Sequence, residues 1–165
     1  MQQVSKKVIL IGNFGVGKTS LVRRFVYQKF SEEYLTTLGV KIDKKSVEIK
    51  EKNTIANLII WDIAGEVSQT QVPQSYYLGS HGVIYVLDIT RPSTYTRIQE
   101  DLDYVKRLLP KAPICIVGNK VDLVSAQDIE KFKSSVMIPV HFLTSAKDGS
   151  NVESMFLWIA SQMIG

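Results

Sequence analysis

The chain has 165 residues, 45% of them apolar and 22% charged, a composition that excludes disorder and predicts one globular domain over residues 1–165. Its single cysteine, Cys115, excludes a disulfide framework and is typical of a reducing, cytoplasmic location. The net charge is +4, but the densest group of lysines lacks interleaved aromatic residues, which favours the solvated face of a hairpin over a nucleic-acid site: Lys41, Lys44, Lys45, Lys50 and Lys52.

The apolar runs in the chain predict the strands. Residues 8–11, 58–60, 83–87 and 114–117 are short and continuously apolar, as are strands buried on both faces of a parallel sheet. Residues 40–50 instead alternate apolar and polar side chains, as an edge strand does. We expect no membrane anchor in this chain, because it lacks a signal peptide, an apolar run that could cross a bilayer and a terminal cysteine.

Amphipathic stretches between these runs predict helices. Apolar residues recur at steps of three and four in two stretches: Tyr95, Ile98, Leu102, Val105 and Leu109, and later Val152, Met155, Phe156, Ile159 and Met163. Pro92 suits the first turn of the first of these helices, and Ser150 with Glu153 predicts a capping box at the start of the second. Strands that alternate with helices predict an α/β fold, in which ligands bind beyond the carboxyl ends of the strands.

A phosphate-binding loop follows the first predicted strand. Residues 12–19 read G-N-F-G-V-G-K-T, which matches the pattern G-x-x-x-x-G-K-[ST] between a strand and an amphipathic helix. Glycines let backbone N–H groups point at phosphate oxygens, and the helix N-terminus adds positive potential there. Lys18 is predicted to reach the β- and γ-phosphates, and the Thr19 hydroxyl to bind Mg²⁺. The loop alone does not indicate whether the nucleotide is ATP or GTP. It also does not distinguish a kinase from an ATPase or a switch protein.

Two later segments indicate which nucleotide base the site binds. Asn119, Lys120 and Asp122 follow the predicted strand at 114–117. The Asp122 carboxylate can accept from both the N1–H and the N2–H₂ of guanine, whereas it would repel the N1 lone pair of adenine. The stem of Lys120 can lie over the base. Residues 145–147 follow another strand end and can offer a backbone N–H to the guanine O6.

The residues after the strand at 58–60 indicate a metal ligand. Asp62 can hold Mg²⁺ through water, as the acid after a buried strand does in phosphate-loop proteins. Gly65 can turn its backbone N–H toward a γ-phosphate. With the phosphate loop and the base motifs, these residues predict a site for GTP or GDP with Mg²⁺.

The order of these motifs resembles that of Ras-superfamily small GTPases, and within them the Rab-like branch. The resemblance extends over residues 7–164, and five nucleotide motifs match in order: residues 12–19, Thr37, and residues 62–65, 119–122 and 145–147. Three further segments are similar to Rab proteins in particular: residues 37–40, 61–65 and 75–83. The resemblance implies a six-stranded, mostly parallel sheet with helices on both faces. It also implies a GTP/GDP molecular switch that hydrolyses GTP to GDP and phosphate.

Further roles come from the resemblance alone. It implies that Thr37 closes on the γ-phosphate and supplies a second hydroxyl to Mg²⁺. It implies that Phe30 stacks against the edge of guanine, that Tyr34 covers the phosphates and that Ser20 touches the α-phosphate. These residues would complete the site that the motifs outline.

The resemblance also implies two switch segments, residues 31–40 and 65–78. They would order around the γ-phosphate and Mg²⁺ and relax after hydrolysis. Through them it implies effector, exchange-factor and GTPase-activating protein partners. Pro73 lies in the second segment and predicts that a helix there begins at or after it.

Two positions depart from the family pattern where hydrolysis takes place. Glu66 stands where the family usually has glutamine, and an ionised carboxylate accepts hydrogen bonds but donates none. At about 5 Å and an effective dielectric near 20, its charge would repel the γ-phosphoryl group by on the order of 3 kcal/mol. Phe14 replaces a small loop residue on the route by which an activating arginine would enter. We therefore predict slow hydrolysis and a resting state biased toward GTP; the alternative is a GTP-binding scaffold with negligible hydrolysis.

The predicted site can be stated residue by residue. The nucleotide is predicted to contact Phe14, Gly15, Val16, Gly17, Lys18, Thr19, Ser20, Phe30, Tyr34, Thr37, Gly65, Asn119, Lys120, Asp122, Ser145, Ala146 and Lys147. The predicted metal ligands are Thr19, Thr37 and Asp62. The residues predicted to act on the reacting phosphate are Glu66, Thr37 and Lys18.

Overall fold

A computed structural model describes residues 1–30 and 39–165 and places a central sheet between two layers of helices. The sheet of the described residues has six strands: β1 (Gln2–Ile11), β2 (Val40–Ile49), β3 (Thr54–Ile63), β4 (Gly82–Asp88), β5 (Ile114–Asn119) and β6 (Phe142–Thr144). Their order across the sheet is β2-β3-β1-β4-β5-β6. The β2–β3 pair is antiparallel and every other pair is parallel.

The helices cover both faces of the sheet. They are α1 (Lys18–Tyr27), α2 (Gln74–Tyr77), α3 (Ile98–Leu108), α4 (Ala126–Ser135) and α5 (Val152–Gln162). The apolar sides of α1 and α5 pack on one face, and those of α2, α3 and α4 pack on the other. The predicted α/β fold with a mostly parallel six-stranded sheet is therefore confirmed. Among the described residues, no helix is both long and apolar enough to cross a bilayer.

The predicted apolar runs lie within β1, β3, β4 and β5, and most of their residues are buried. Strand β4 is buried along its whole length, because helices cover both of its faces. Strand β1 extends toward the N-terminus beyond its apolar run, since Gln2 to Lys6 pair with Thr54 to Leu58 of β3. Strand β2 lies at the sheet edge, as predicted.

The lysines of the β2–β3 hairpin support the structure of the protein. The ammonium of Lys45 donates to the carbonyl of Phe25 at 2.5 Å, at the last turns of α1. The ammonium of Lys52 donates to the carbonyls of Ser161 and Ile164, at 2.5 and 2.6 Å, where α5 ends. Cations are favourable at helix C-termini, where carbonyls lack helical partners. These contacts favour the structural interpretation of the hairpin lysines over nucleic-acid binding.

The start of α3 differs from the prediction. Pro92 begins a separate 3-10 turn, Pro92–Thr94, and α3 itself begins only at Ile98. The hydroxyl of Thr94 accepts from the backbone N–H of Asp88 at 3.0 Å and lies within hydrogen-bond distance of the Asp88 and Arg91 carbonyls. The Thr94 side chain thus ties this turn to the end of β4, so the helix cannot begin at Pro92.

The predicted capping box of α5 is wrong. The N-cap of α5 is Asn151, in a left-handed conformation with φ 59°, and its side chain does not cap the helix. The Ser150 N–H donates to the Asp148 carboxylate at 2.8 Å, and the Ser150 carbonyl accepts from the N–H of Ser145. Ser150 therefore belongs to the turn that follows β6. In contrast, α2 begins directly after Pro73, as predicted.

The polar residues of the predicted motifs converge at one edge of the sheet. The phosphate loop follows β1, Asp62 lies near the end of β3, and Asn119 is the last residue of β5. Because β1, β3, β4, β5 and β6 run parallel, their carboxyl ends meet at the same edge. This is the edge at which doubly wound sheets bind ligands.

Candidate functional site

The phosphate loop ends in a glycine that the geometry requires. Gly17 is the N-cap of α1 with φ 101°, a left-handed conformation that favours glycine. A Cβ atom at Gly17 would lie 2.3 Å from the side-chain nitrogen of Asn119. The loop therefore packs directly against the end of β5, and helix α1 points its N-terminus toward the site.

Lys18 holds its ammonium inside this loop. Its side chain is 6% exposed, and the ammonium donates to the carbonyls of Gly12 and Asn13 at 2.9 and 3.1 Å. Burial lowers the pKa of Lys18 to about 8, whereas the carboxylates of Asp62 and Glu66 oppose this shift. The group is therefore mostly protonated at pH 7, with two carboxylates near it.

Thr19 and Asp62 bring two oxygen ligands together beside Lys18. The Thr19 hydroxyl donates to the Asp62 carboxylate at 2.6 Å, and Asp62 is 1% exposed. Such hard oxygen donors, few in number, fit Mg²⁺, which takes its remaining ligands from water and phosphate. The described residues contain no cluster of three or more histidines, cysteines or acids that would form a site for another metal. The third predicted ligand, Thr37, lies outside the described residues.

Asn119 and Lys120, which are predicted to bind the base, form hydrogen bonds to the phosphate loop. The Asn119 amide donates to the Val16 carbonyl at 3.0 Å and accepts from the Thr144 hydroxyl at 3.0 Å. The Lys120 ammonium donates to the Gly15 carbonyl at 2.8 Å and lies 2.9 Å from the buried carboxylate of Asp88. The two predicted halves of the site therefore form one hydrogen-bonded unit.

Asp122 presents a carboxylate at the surface of the site. The residue is exposed, and one of its oxygens accepts from the Ser145 hydroxyl at 2.8 Å. The same hydroxyl accepts from the N–H of Asp148 at 3.1 Å. Ala146 is buried and Lys147 exposed. This turn therefore fixes the orientation of Asp122, as recognition of a base edge requires.

Arg24 holds the turn at 145–147 and was not predicted from the sequence. Its guanidinium donates to the Ala146 carbonyl at 2.8 Å and also to the Lys147 carbonyl. Arg24 belongs to α1, the helix that begins with Lys18. One helix thus supports both the phosphate end and the base end of the site. No local sequence signal marks this contact, because it joins positions 122 residues apart.

The two residues that depart from the family pattern, Phe14 and Glu66, lie close to the phosphate loop and to Gly65. A Cβ atom at Gly65 would lie 2.3 Å from the Cα of Phe14, so these backbones touch. The N–H of Glu66 donates to the Gly12 carbonyl at 3.3 Å. The Phe14 ring is 51% exposed, and its carbonyl accepts from both terminal nitrogens of Arg91 at 3.2 Å.

The remaining predicted contacts divide between described and undescribed positions. Phe30 is half-buried and packs against the core on the α1 and α5 face of the sheet. Ser20 is half-buried in the first turn of α1. Tyr34 and Thr37 lie outside the described residues, and their roles stay predictions.

Comparisons with known proteins place the chain in a family. The Ras family profile matches residues 7–165. GTP-binding protein ypt1 of Schizosaccharomyces pombe is 37% identical over 164 residues, which span 95% of this chain and 79% of that protein. Human Ras-related protein Rab-21 is 37% identical over 166 residues, spanning 97% and 72%. Ras-related protein Rab-1A of Dictyostelium discoideum is 36% identical over 164 residues, spanning 95% and 79%.

These likenesses span the phosphate loop, the predicted metal ligands and the predicted base-binding residues together. Members of this family bind GTP and GDP with Mg²⁺, hydrolyse GTP and act as switches, and the geometry of this site fits that ligand and metal. The chain belongs to the Ras family and is a Rab-like small GTP-binding protein.

Proposed function

We propose that this GTPase hydrolyses GTP slowly, so that its resting state is biased toward GTP. The observation that supports the proposal is the position of Glu66. Its carboxylate lies near enough to the Lys18 ammonium to oppose the fall in the pKa of that lysine. Lys18 is the group expected to hold the γ-phosphate. A fixed negative charge at this point disfavours the reacting phosphoryl group and cannot donate a hydrogen bond to it.

We propose that residues 1–165 act as one nucleotide-binding domain with the roles predicted above. Lys18 and the amides of the phosphate loop bind the phosphates, while Thr19 and Asp62 hold Mg²⁺ with Thr37. Bound Mg²⁺ would offset charge on the β- and γ-phosphates. Asp122 selects guanine by accepting from its N1–H and N2–H₂.

Phe14 supports the same proposal from its position next to Gly65. Its backbone lies against Gly65 and its ring is exposed, and we infer that the ring occupies space that an activating arginine would need. The two bonds from Arg91 hold the Phe14 backbone in place, so the side chain stays attached at a fixed point beside Gly65. This favours slow hydrolysis even in the presence of an activating protein. It also supports the second candidate, a GTP-bound scaffold that hydrolyses negligibly.

Glu66→Gln is expected to accelerate single-turnover GTP hydrolysis by about tenfold. The substitution removes the repulsive charge and restores a donor, although partial exposure reduces the gain below the full Coulomb term. The measurement is the rate of phosphate release from preloaded protein with Mg²⁺. The nucleotide bound to each purified protein, identified after denaturation, is expected to shift from GTP toward GDP in the variant.

The control for this experiment is Glu153→Gln, which removes an exposed carboxylate from α5 far along the chain. It is expected to leave the rate unchanged. A parent protein that hydrolyses GTP as fast as the Glu66→Gln variant contradicts the proposal. Parent protein that retains GTP through purification and shows no measurable turnover supports the scaffold.

Arg24→Met is expected to increase the rate of GDP dissociation by about tenfold. The change removes two charge-assisted hydrogen bonds to the turn at 145–147, and their partial exposure limits the effect to about 1.4 kcal/mol. The measurement is the release of a fluorescent GDP analogue. Arg23→Met, at the neighbouring arginine of α1, is the control. Equal release rates in the two variants would contradict a role for Arg24 in positioning the turn.

We propose that partners read the nucleotide state through residues 31–40 and 65–78. Effectors, exchange factors and activating proteins are the classes expected. A cytoplasmic location fits Cys115, a buried thiol whose pKa burial raises to about 12, so it is unreactive. The carbonyl contacts of Lys45 and Lys52 argue against nucleic acid as a partner.

A further inference from the structure

A buried polar cluster joins the start of α3 to the segment after Glu66. Its members are Gln69, Tyr77, Tyr85 and Asp101, all buried among apolar residues of the α3 face. Asp101 is 1% exposed and Gln69 is not exposed at all. Charged side chains are seldom buried so completely unless they are paired. The cluster therefore calls for an explanation beyond packing.

Every link in this cluster is a hydrogen bond of ordinary length. One oxygen of Asp101 accepts from the backbone N–H of Gln69 at 3.0 Å, and the other accepts from the Tyr85 hydroxyl at 2.8 Å. The Tyr77 hydroxyl donates to the Gln69 carbonyl at 3.0 Å. The Gln69 side-chain nitrogen donates to the Glu66 carbonyl at 3.0 Å. A continuous chain of bonds thus runs from β4 through α3 to Glu66.

Burial of the Asp101 carboxylate in the core costs folding free energy. Burial is the main cause that raises the pKa of Asp101, and the bonds from Gln69 and Tyr85 and the charge of Arg97 counter it only in part. The first turn of α3 adds some stabilisation for an anion. An apolar side chain of similar size often fills a buried site at lower cost than a charged one. Core packing alone therefore does not account for an acid at this position.

We propose that Asp101 is a positioning residue that anchors residues 66–72 to α3 and so fixes the main chain of Glu66. Both sides of Glu66 are then held. Its N–H is bonded to Gly12 of the phosphate loop, and its carbonyl is bonded to Gln69, whose own N–H is bonded to Asp101. This inference rests on the proposed role of Glu66 at the reacting phosphate. The bond between Asp101 and the Gln69 N–H is the contact that positions Glu66.

The test compares Asp101→Leu with Asp101→Asn in full-length, GDP-bound protein. Leucine fills the space and removes both acceptors, whereas asparagine keeps an oxygen for the Gln69 N–H. Hydrogen exchange of the Gln69 amide is expected to become at least about tenfold faster in the leucine variant, because a bond to a charged acceptor is lost. The asparagine variant is expected to keep most of the protection. Asp103→Asn, at an exposed acid of the same helix, is expected to match the parent.

The distribution of the exchange along the chain separates anchoring from general destabilisation. Anchoring predicts faster exchange at residues 66–72 and parent-like exchange in β1 and β4. Faster exchange in every strand, no change in Asp101→Leu, or equal changes in the leucine and asparagine variants would each overturn the proposal.

A second variant keeps the test decisive if Asp101→Leu does not fold. Gln69→Leu removes the bond to the Glu66 carbonyl but keeps the backbone N–H that Asp101 accepts. We expect faster exchange at the Glu66 amide with the Gln69 amide still protected. Unchanged exchange at Glu66 would overturn the proposal.

Hydrolysis is the second measurement. Single-turnover hydrolysis is expected to rise by up to about fivefold in Asp101→Leu, because a released main chain lets the repulsive Glu66 carboxylate move away from the reacting phosphate. GDP dissociation is expected to stay within about twofold of the parent, since this cluster does not contact the base residues and reaches the phosphate loop only through the main chain of Glu66. The exchange measurement needs no turnover, so a failure of the slow-hydrolysis proposal remains distinguishable from a failure of the anchor.

Discussion

Asp122→Asn is expected to lower the affinity for GDP by roughly a hundredfold or more, because two guanine donors lose their acceptor. The asparagine oxygen can keep the bond from the Ser145 hydroxyl, which one carboxylate oxygen accepts at 2.8 Å. The side-chain nitrogen would then face the N1–H and N2–H₂ of guanine, donor against donor. Xanthine carries a carbonyl oxygen in place of the N2 amino group. The variant is therefore expected to bind xanthosine diphosphate better than the parent does.

Calorimetry with Mg²⁺ measures both changes. The parent should prefer GDP over both xanthosine diphosphate and ADP, and the variant should reverse the first of these preferences. Asp103→Asn, on the exposed side of α3, makes the same chemical change away from the site and should bind as the parent does. A parent that binds GDP and ADP equally would refute the assignment of Asp122 to the base.

Lys18→Met is expected to weaken GTP and GDP binding by about a hundredfold. Methionine keeps most of the side-chain length but removes the ammonium, and removing one partner of a buried, bonded charge pair costs about 2–5 kcal/mol. The ligand-free protein should lose little stability, because relief of the burial that lowers the pKa of Lys18 to about 8 offsets the loss of its bonds to the Gly12 and Asn13 carbonyls. The loss should therefore appear in ligand affinity. Lys111→Ala, at an exposed lysine, is the control.

The same lysine predicts a pH dependence of binding. Below pH 8 the ammonium is already protonated in the ligand-free protein, so affinity should change little with this group. Above pH 8 the protein must take up a proton to bind phosphate, and affinity should fall by up to about tenfold for each pH unit. Calorimetric affinities from pH 7 to pH 9.5 check this. A parent and a Lys18→Met variant with parallel profiles would show that another group titrates.

Much of the architecture could be predicted from the sequence, because buried parallel strands need continuous apolar runs. The run at 83–87 lies within β4, and the alternating segment from Val40 forms the edge strand β2. Helix starts were less predictable. Pro92 and Ser150 both have the right local chemistry, but each takes part in a turn held by other residues. Local patterns do not reveal such competing bonds.

The site could be predicted where its chemistry lies in short motifs, and could not be where it depends on distant contacts. Lys18, Thr19 and Asp62 meet as their motifs indicate, although their roles with a ligand stay predictions. The bond from Arg24 to Ala146 spans 122 residues and has no sequence signature. Asp101 did leave a signal, since it interrupts an apolar stripe three residues after Ile98 and four before Val105.

The hydrogen bonds from Asn119 and Lys120 to the phosphate loop have a consequence for ligand exchange. A loop that is shaped before its ligand arrives loses little conformational entropy on binding, which favours tight association and slow escape. The same bonds also mean that an exchange factor could disturb both parts of the site by binding at the end of β5. Displacing the end of β5 would move the predicted base-binding residues and the phosphate loop together. The base and the phosphates of the nucleotide would then lose their contacts at the same time.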